Sequence, residues 1–514
     1  MGKNIVICSD GTGNTTVKNR GTNVFKLFES VKTIHSSASQ VAIYDDGVGS
    51  GTSKLSQILG GAFGFGLSRN VRQLYISLVR NYNAEANDKI YLFGFSRGAF
   101  TVRSLAGMIS YMGILDQDLC KTDAELNEYV NHAYREYRRS QRAWLETLLS
   151  WIFVDPFLFY QNKINKKEYL VNLKTFNKKF LTKSDASENE EDKLIRFIGV
   201  WDTVSAVGFP IPWVSGFFNK VIYRFSFTDN DLNQDVQQAC HALSIDDQRK
   251  TFHPEIWNEF SVEDKKRIEQ VWFSGVHSNV GGGYPKQGMS LVSLNWMMRK
   301  AKDAGVEFIE HDLDLYDIKQ NVNDKLYDSR HGLSVFYRFK PRDIYQICQE
   351  HGVTARIHSS ALNRIKQGTG GYAPGNIPRT FEVDDTDKIL SDWPTCKEEI
   401  LKAMGDDTSL LSRVRFSYAI RKFAHGIFFL ASIYAVYDFY SDNTETVKNM
   451  AYSDFPMALL THLFTKGEFF WGISYVLIII AAFYFLLIYT KEKMHTTYSA
   501  FWYSLIRKHK NIDN

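Results

Sequence analysis

Lys89-Ile90-Tyr91-Leu92-Phe93-Gly94-Phe95-Ser96-Arg97-Gly98-Ala99-Phe100 is the stretch on which the fold turns. Residues 89–93 form an apolar run that predicts a buried strand, and residues 99–112 have helical spacing. Between them stands G-x-S-x-G, Gly94 to Gly98. The pentapeptide alone arises often by chance, and its setting is what gives it meaning. A strand leading in and a helix leading out force a sharp turn that lifts the serine hydroxyl above the sheet edge. The glycines let neighbouring backbone pass close by.

The same alternation extends outward. Residues 4–9 predict a strand stopped by Asp10-Gly11-Thr12-Gly13, residues 22–31 a helix, and residues 41–44 a second strand. A glycine-rich stretch, 47–66, precedes a helix over 68–82. After residue 115 the pattern lapses, so residues 116–193 read as an insertion or lid holding an apolar run (144–160) and a charged linker. Strands resume at 195–201 and 271–276, with a helix over 290–304. Strands alternating with helices predict an α/β fold. It is an α/β-hydrolase-like, mostly parallel sheet with helices on both faces, occupying residues 1–410.

A serine hydroxyl needs a histidine base and an orienting carboxylate to become a nucleophile. In this architecture they follow in the order serine, acid, histidine, each beyond a strand. Asp202 closes the strand 195–201, and His277 closes 271–276 ahead of Gly281-Gly282-Gly283. Asp202 can also be read as a turn cap. Of thirteen histidines His241 is the competitor, in a run (231–243) with helix-like spacing. The backbone amide of Arg97, next to the nucleophile, is one expected oxyanion donor; Gly11 or Thr12 supplies the other. The lysine of a phosphate-binding P-loop is absent from the sequence.

Composition bounds the remaining choices. A chain of 514 residues with 44% hydrophobic and 14% aromatic content has material for a large core, and a net charge of +4 does not indicate nucleic acid. Five scattered cysteines (Cys8, Cys120, Cys240, Cys348, Cys396) form neither a disulfide framework nor a zinc pattern and suit a reducing compartment. Neither a signal peptide nor a myristoylation motif is expected at the N-terminus. No metal or organic cofactor is implied.

The last hundred residues change character. Residues 469–490 are 22 in a row without a charge, long enough to cross a hydrocarbon layer of roughly 30 Å. Residues 423–437 are a shorter uncharged run that reaches spanning length over 418–440; its alternative is a buried core helix. Arg413, Arg415, Arg421 and Lys422 precede the first run, and Lys491, Lys493, Arg507, Lys508 and Lys510 follow the second. The connecting stretch carries five acids against Lys448 and Lys466. Residues 411–514 therefore read as a transmembrane hairpin with both ends, and the catalytic domain, in the cytoplasm. The aromatic segments 209–214 and 217–218, with 144–160, are candidates for an acyl-chain site or lid.

Taken together these motifs resemble an uncharacterised α/β-hydrolase family that includes the type VI secretion phospholipase effectors of family one. The resemblance runs from Asn4 to about Val383. It rests on Asp10-Gly11-Thr12, Asp46-Gly47-Val48-Gly49, Gly94 to Phe100, Gly199-Val200-Trp201-Asp202-Thr203-Val204, His241-Ala242-Leu243 with Arg249, and Gly275-Val276-His277-Ser278. His358-Ser359-Ser360 and Tyr372 to Pro378 complete it. It implies a Ser96–Asp202–His277 triad and phospholipase A-type activity. One departure concerns the position two after the histidine, where the family has Asp and this chain has Asn279. The hydrophobic hairpin is not part of the shared region. The expectation is thus a membrane-anchored serine ester hydrolase cleaving acyl esters of bilayer phospholipid at a bacterial inner membrane, controlled by a regulatory or immunity protein. An exported antibacterial lipase effector and a catalytically silent membrane scaffold are the alternatives.

Overall fold

The computed structural model describes residues 2–11, 21–34, 39–47, 63–140, 180–181, 193–204, 230–384, 393–450, 454–465 and 475–510. Within them eight strands form one sheet: β1 (Asn4–Ser9), β2 (Gln40–Asp45), β3 (Lys89–Phe95), β4 (Ile195–Trp201), β5 (Val236–Ser244), β6 (Ile268–Phe273), β7 (Arg356–His358) and β8 (Glu382–Asp384). Their spatial order is β8-β7-β6-β5-β4-β3-β1-β2, and every neighbouring pair is parallel. The expected α/β fold is present.

Alternate residues of the central strands feed two cores. Ile5 and Ile7 of β1 with Ile90 and Leu92 of β3 pack under helices α2 (Phe63–Asn81), α3 (Arg97–Met112) and α4 (Asp123–Ser140). Val6 and Cys8 with Phe93 and Phe95 face α1 (Asn23–Ser30) and α5 (Gly288–Asp303), where Val24, Leu27, Trp296 and Met297 are buried. Both faces are covered, which is why these strands read as unbroken apolar runs.

The run 231–243 corrects the sequence reading. Its core is β5, nine residues long and hydrogen-bonded between β4 and β6. Val-Gln-Gln-Ala-Cys-His-Ala-Leu-Ser is rich in helix formers and lacks alternation. Burial on both faces removes the period-2 signal, and pairing with two neighbours overrides local propensity. The short strands β7 and β8, three residues each, gave no period to detect.

The C-terminal region holds α6 (Arg415–Asp442), α7 (Phe455–Thr465) and α8 (Tyr475–Lys510). Helix α6, with the turn before it, is the one helix among the described residues long and apolar enough to cross a membrane, as Leu410–Asp442, and only 28% of its apolar window is buried. Of the second expected run, residues 469–474 lie outside the described residues and the remainder starts α8. The boundary expected after residue 410 cuts through continuous packing. Met494, Tyr498, Phe501, Trp502 and Leu505 of α8 share a core with Leu410, Tyr372 and Ile377. Trp502 Nε1 donates to the Pro374 carbonyl at 2.8 Å. The far half of α8 therefore belongs to the body of the protein.

Candidate active site

The chain runs from β1 outward to β2, then crosses back to place β3 on the other side of β1. A reversal of this kind leaves a crevice at the carboxyl ends of the two inner strands, where open α/β sheets hold their ligands. The loops Asp10–Gly11 and Ser96–Gly98 flank that crevice. They pack so closely that a Cβ on Gly98 would meet the Ser9 carbonyl oxygen at 2.1 Å, and one on Gly94 would meet Ala99 Cα at 2.6 Å. This is why glycine occupies both positions.

Ser96 sits between β3 and α3 with φ 58° and ψ −119°. Its N–H donates to the Trp201 carbonyl at 3.0 Å, tying the turn to β4. Asp202 also has positive φ, at 41°, and its N–H donates to the Ala242 carbonyl at 2.8 Å. Left-handed backbone at a non-glycine residue is strained and persists where surrounding bonds overdetermine it. Ser96, Asp202 and Asn87 are the non-glycine residues with positive φ among those described, and two of the three stand at this crevice.

The structure brings Ser96, His277 and Asp202 together. Ser96 Oγ lies 2.8 Å from His277 Nε2, and His277 Nδ1 lies 2.6 Å from Asp202 Oδ2. Because an ionised carboxylate only accepts, Nδ1 carries the proton and Nε2 accepts from the serine hydroxyl. His277 begins a short helix, His277–Gly281, and its ring lies between Phe95 (4.6 Å between centroids) and Phe252 (5.1 Å, edge-on). Burial pulls its pKa below the ordinary histidine value, and the Asp202 hydrogen bond only partly opposes this.

Asp202 has a partner that sequence reading missed. Arg342 Nη1 and Nη2 donate to its two carboxylate oxygens at 2.6 and 2.8 Å, and both side chains are fully buried. Ser244 adds its N–H at 2.9 Å and its hydroxyl at 3.2 Å. Burial would raise the Asp202 pKa, but Arg342 and then His277 outweigh it and hold the carboxyl well below its usual range. Arg342 lies in Lys340-Pro341-Arg342-Asp343, far along the chain and without a motif, so no local pattern announces it.

His241 is elsewhere in the hydrogen-bond scheme. It is wholly buried, its Nε2 accepts from the Thr203 N–H at 3.1 Å, and its ring meets Trp257 edge-on. Burial, then Arg103, lowers its pKa to about 3, so it stays neutral and supports the Asp202 loop from behind. Asn279 donates to the Lys325 carbonyl at 3.1 Å and accepts from the Tyr327 N–H at 3.2 Å. An ionised aspartate at that position could not make the first bond. Tyr372 and Asn376 brace the loop after β5 through Asp246 Oδ2 at 2.9 Å and the Ile245 carbonyl at 2.7 Å. His358 caps the helix Ser359–Gln367 and stacks on Phe273.

Of the expected oxyanion donors, Arg97 opens α3 beside Ser96. The Gly11 N–H donates to its neighbour's carboxylate, Asp10 Oδ1, at 2.6 Å. Asp10 in turn accepts from Tyr44 at 2.8 Å and from Thr22. Thr12 lies outside the described residues, as do the aromatic segments 144–160 and 209–218. A cavity of about 270 Å³ lies behind the site, lined by Asp247, Val276, Arg342, Arg421 and Tyr498 among others; neither Ser96 nor His277 borders it.

A family model for the Tle1-like phospholipase effector catalytic domain of type VI secretion matches residues 3–300. The chain belongs to this Tle1-like family. Ser96, Asp202 and His277 all fall within the matched region, and Arg342 falls beyond it. An uncharacterized protein of Saccharomyces cerevisiae is 29% identical over 265 residues, covering 49% of this chain and 32% of that protein. The chain thus spans about a third of that relative's length. Two solved structures are similar. One is an uncharacterized protein from Pseudomonas aeruginosa (16% identity, TM-score 0.34, covering 63% of this chain and 49% of that one). The other is the Tle1 effector bound to the VgrG spike of the type VI secretion system (13% identity, TM-score 0.34, covering 65% and 78%).

Proposed function

We propose that this Tle1-like protein is a serine ester hydrolase that cleaves acyl esters of membrane phospholipid. The observation that carries the reading is the hydrogen-bonded chain Ser96–His277–Asp202 at the carboxyl edge of the sheet. Ser96 Oγ attacks the ester carbonyl while His277 Nε2 takes its proton; the tetrahedral oxyanion is held by backbone N–H groups. Arg97 supplies one. Gly11 supplies the second only by releasing Asp10 Oδ1, which makes its loop an adjustable part of the site. His277 then returns the proton to the leaving alcohol, and water repeats the sequence in reverse to free the acid. Asp202 holds the imidazole in the required tautomer, and Arg342 holds Asp202.

The lipid substrate is supported by family membership and by the apolar surface of the C-terminal helices. Phe423, Leu430, Tyr434, Tyr437, Phe485 and Tyr489 on these two helices are each well exposed, as side chains facing lipid would be. We read α6 and the apolar part of α8 as a hairpin spanning a bacterial inner membrane, with the sheet on the cytoplasmic side. A regulatory or immunity protein would restrain an enzyme so placed. The second reading, an exported effector, is favoured by the matched family's secretion name. Mass spectrometry of lipids from cells expressing wild type beside Ser96→Ala tests the activity. Lysolipid and free fatty acid should accumulate only with wild type; identical lipid profiles would return the protein to the scaffold reading.

A further inference from the structure

We infer that Lys250, Arg338, Lys340 and Lys422 form a docking surface for an anionic bilayer, holding the candidate site against the lipid layer. This rests on the membrane-bound hydrolase reading. Residues 248–250 and 338–340 run antiparallel: Lys250 N–H donates to the Arg338 carbonyl and Lys340 N–H to the Gln248 carbonyl, each at 2.9 Å, around the bridge between Arg249 and Phe339. Side chains alternate across such a pair. Arg249 turns to Asp247 and Phe339 into the core, which leaves Lys250, Arg338 and Lys340 on the other side. Helix α6 packs on this ribbon from the Phe339 side, with Arg421 over the Phe339 ring at 4.3 Å, and the exposed Lys422 is the next residue along it.

Among the described residues none of the four makes an ion pair. Partial burial, followed by Arg338, Lys340 and Lys422, lowers the Lys250 pKa, which puts Lys250 in the field of the other three. Like charges gathered without acids raise the energy of the free protein and are relieved by an anionic partner. Their level along α6 identifies the partner. Lys422 is the last charge before the apolar run, and the next residue, Phe423, is 65% exposed. The patch therefore lies where hydrocarbon gives way to headgroups. It also touches the site, because Lys250 opens the turn Lys250–Phe252 whose last ring meets His277.

The test uses the full chain in nanodiscs of phosphatidylcholine alone or with about one third phosphatidylglycerol. Hydrogen exchange on Ser96→Ala protein should show residues 248–252 and 336–342 protected on the anionic discs, and less so at high salt. Each cation at such a surface is worth roughly fivefold in partitioning. Lys250→Gln/Arg338→Gln/Lys340→Gln/Lys422→Gln should therefore lose the protection. It should also lose at least about tenfold of the anionic enhancement of phospholipid hydrolysis. Turnover of a soluble short-chain ester should be unchanged, and arginine at the three lysine positions should restore the enhancement. Equal protection on both discs, or an enhancement surviving in the quadruple variant, overturns the proposal. Anionic-dependent protection in a wild type that cleaves no ester supports the patch and overturns the hydrolase reading instead.

Discussion

Arg342→Met leaves a fully buried Asp202 carboxylate without its bidentate partner while keeping much of the side chain's volume. Both groups are 0% exposed, and the two bonds are 2.6 and 2.8 Å long. Removing one member of a buried pair costs about 3–5 kcal/mol, chiefly because the remaining charge is stranded. Ser244 and His277 still donate to Asp202, which places the expectation at the lower end, about 3 kcal/mol. That is a large share of a typical net stability, and in a cooperative unit of this size it should lower the melting temperature on the order of 3–5 °C. The pH dependence has a definite sign. In wild type the Asp202 pKa is depressed in the fold, so its contribution is present above the unfolded carboxyl range and is lost only in strong acid. In the variant the folded pKa rises, so Asp202 is protonated more readily and the gap between wild type and variant narrows as pH falls through that raised value. Thermal and denaturant unfolding at neutral pH and near pH 5 measure both effects. Adding Asp202→Asn removes the stranded charge, and the double variant should recover part of the loss. A variant that melts with wild type at neutral pH, or a double variant no better than Arg342→Met, would refute the argument.

Four further outcomes are expected. Ser96→Ala and His277→Ala should each lower ester turnover by about 10⁴-fold or more, and combining them should add little, because such residues act as a unit. His241→Ala should cost stability through the orphaned Thr203 N–H but keep most activity; the opposite pattern on soluble ester would make His241 the base. Since the His277 pKa is lowered, kcat/KM should rise with pH through an apparent value below the ordinary histidine one. An acid limb centred at or above that ordinary value would contradict the geometry. If two helices span, a cysteine introduced near Asn443 should react with an impermeant thiol reagent reaching the outer face, while native cysteines of the catalytic region stay unlabelled. Labelling of the catalytic region from outside would favour the exported effector.

Much of the fold was legible because its signals are local. The apolar runs of β1, β3 and β4, the glycines at 94 and 98, and the residues ending β4 and β6 all lie within a few positions of the features that interpret them. Chain order alone then pairs Ser96 with Asp202 and His277. What only tertiary structure decided depends on partners distant in sequence. Residues 236–244 became a strand because β4 and β6 flank them, against a composition that favours helix. His241 was separated from Ser96 by that same pairing, which points it at the Thr203 amide. Arg342 reached Asp202 across 140 positions of chain with no motif around it. The end of α8 joined the core because Trp502 and Tyr498 found Pro374 and Gly375, a contact invisible to hydropathy. Periodicity records which face of an element is buried, and it carries no information about what covers that face.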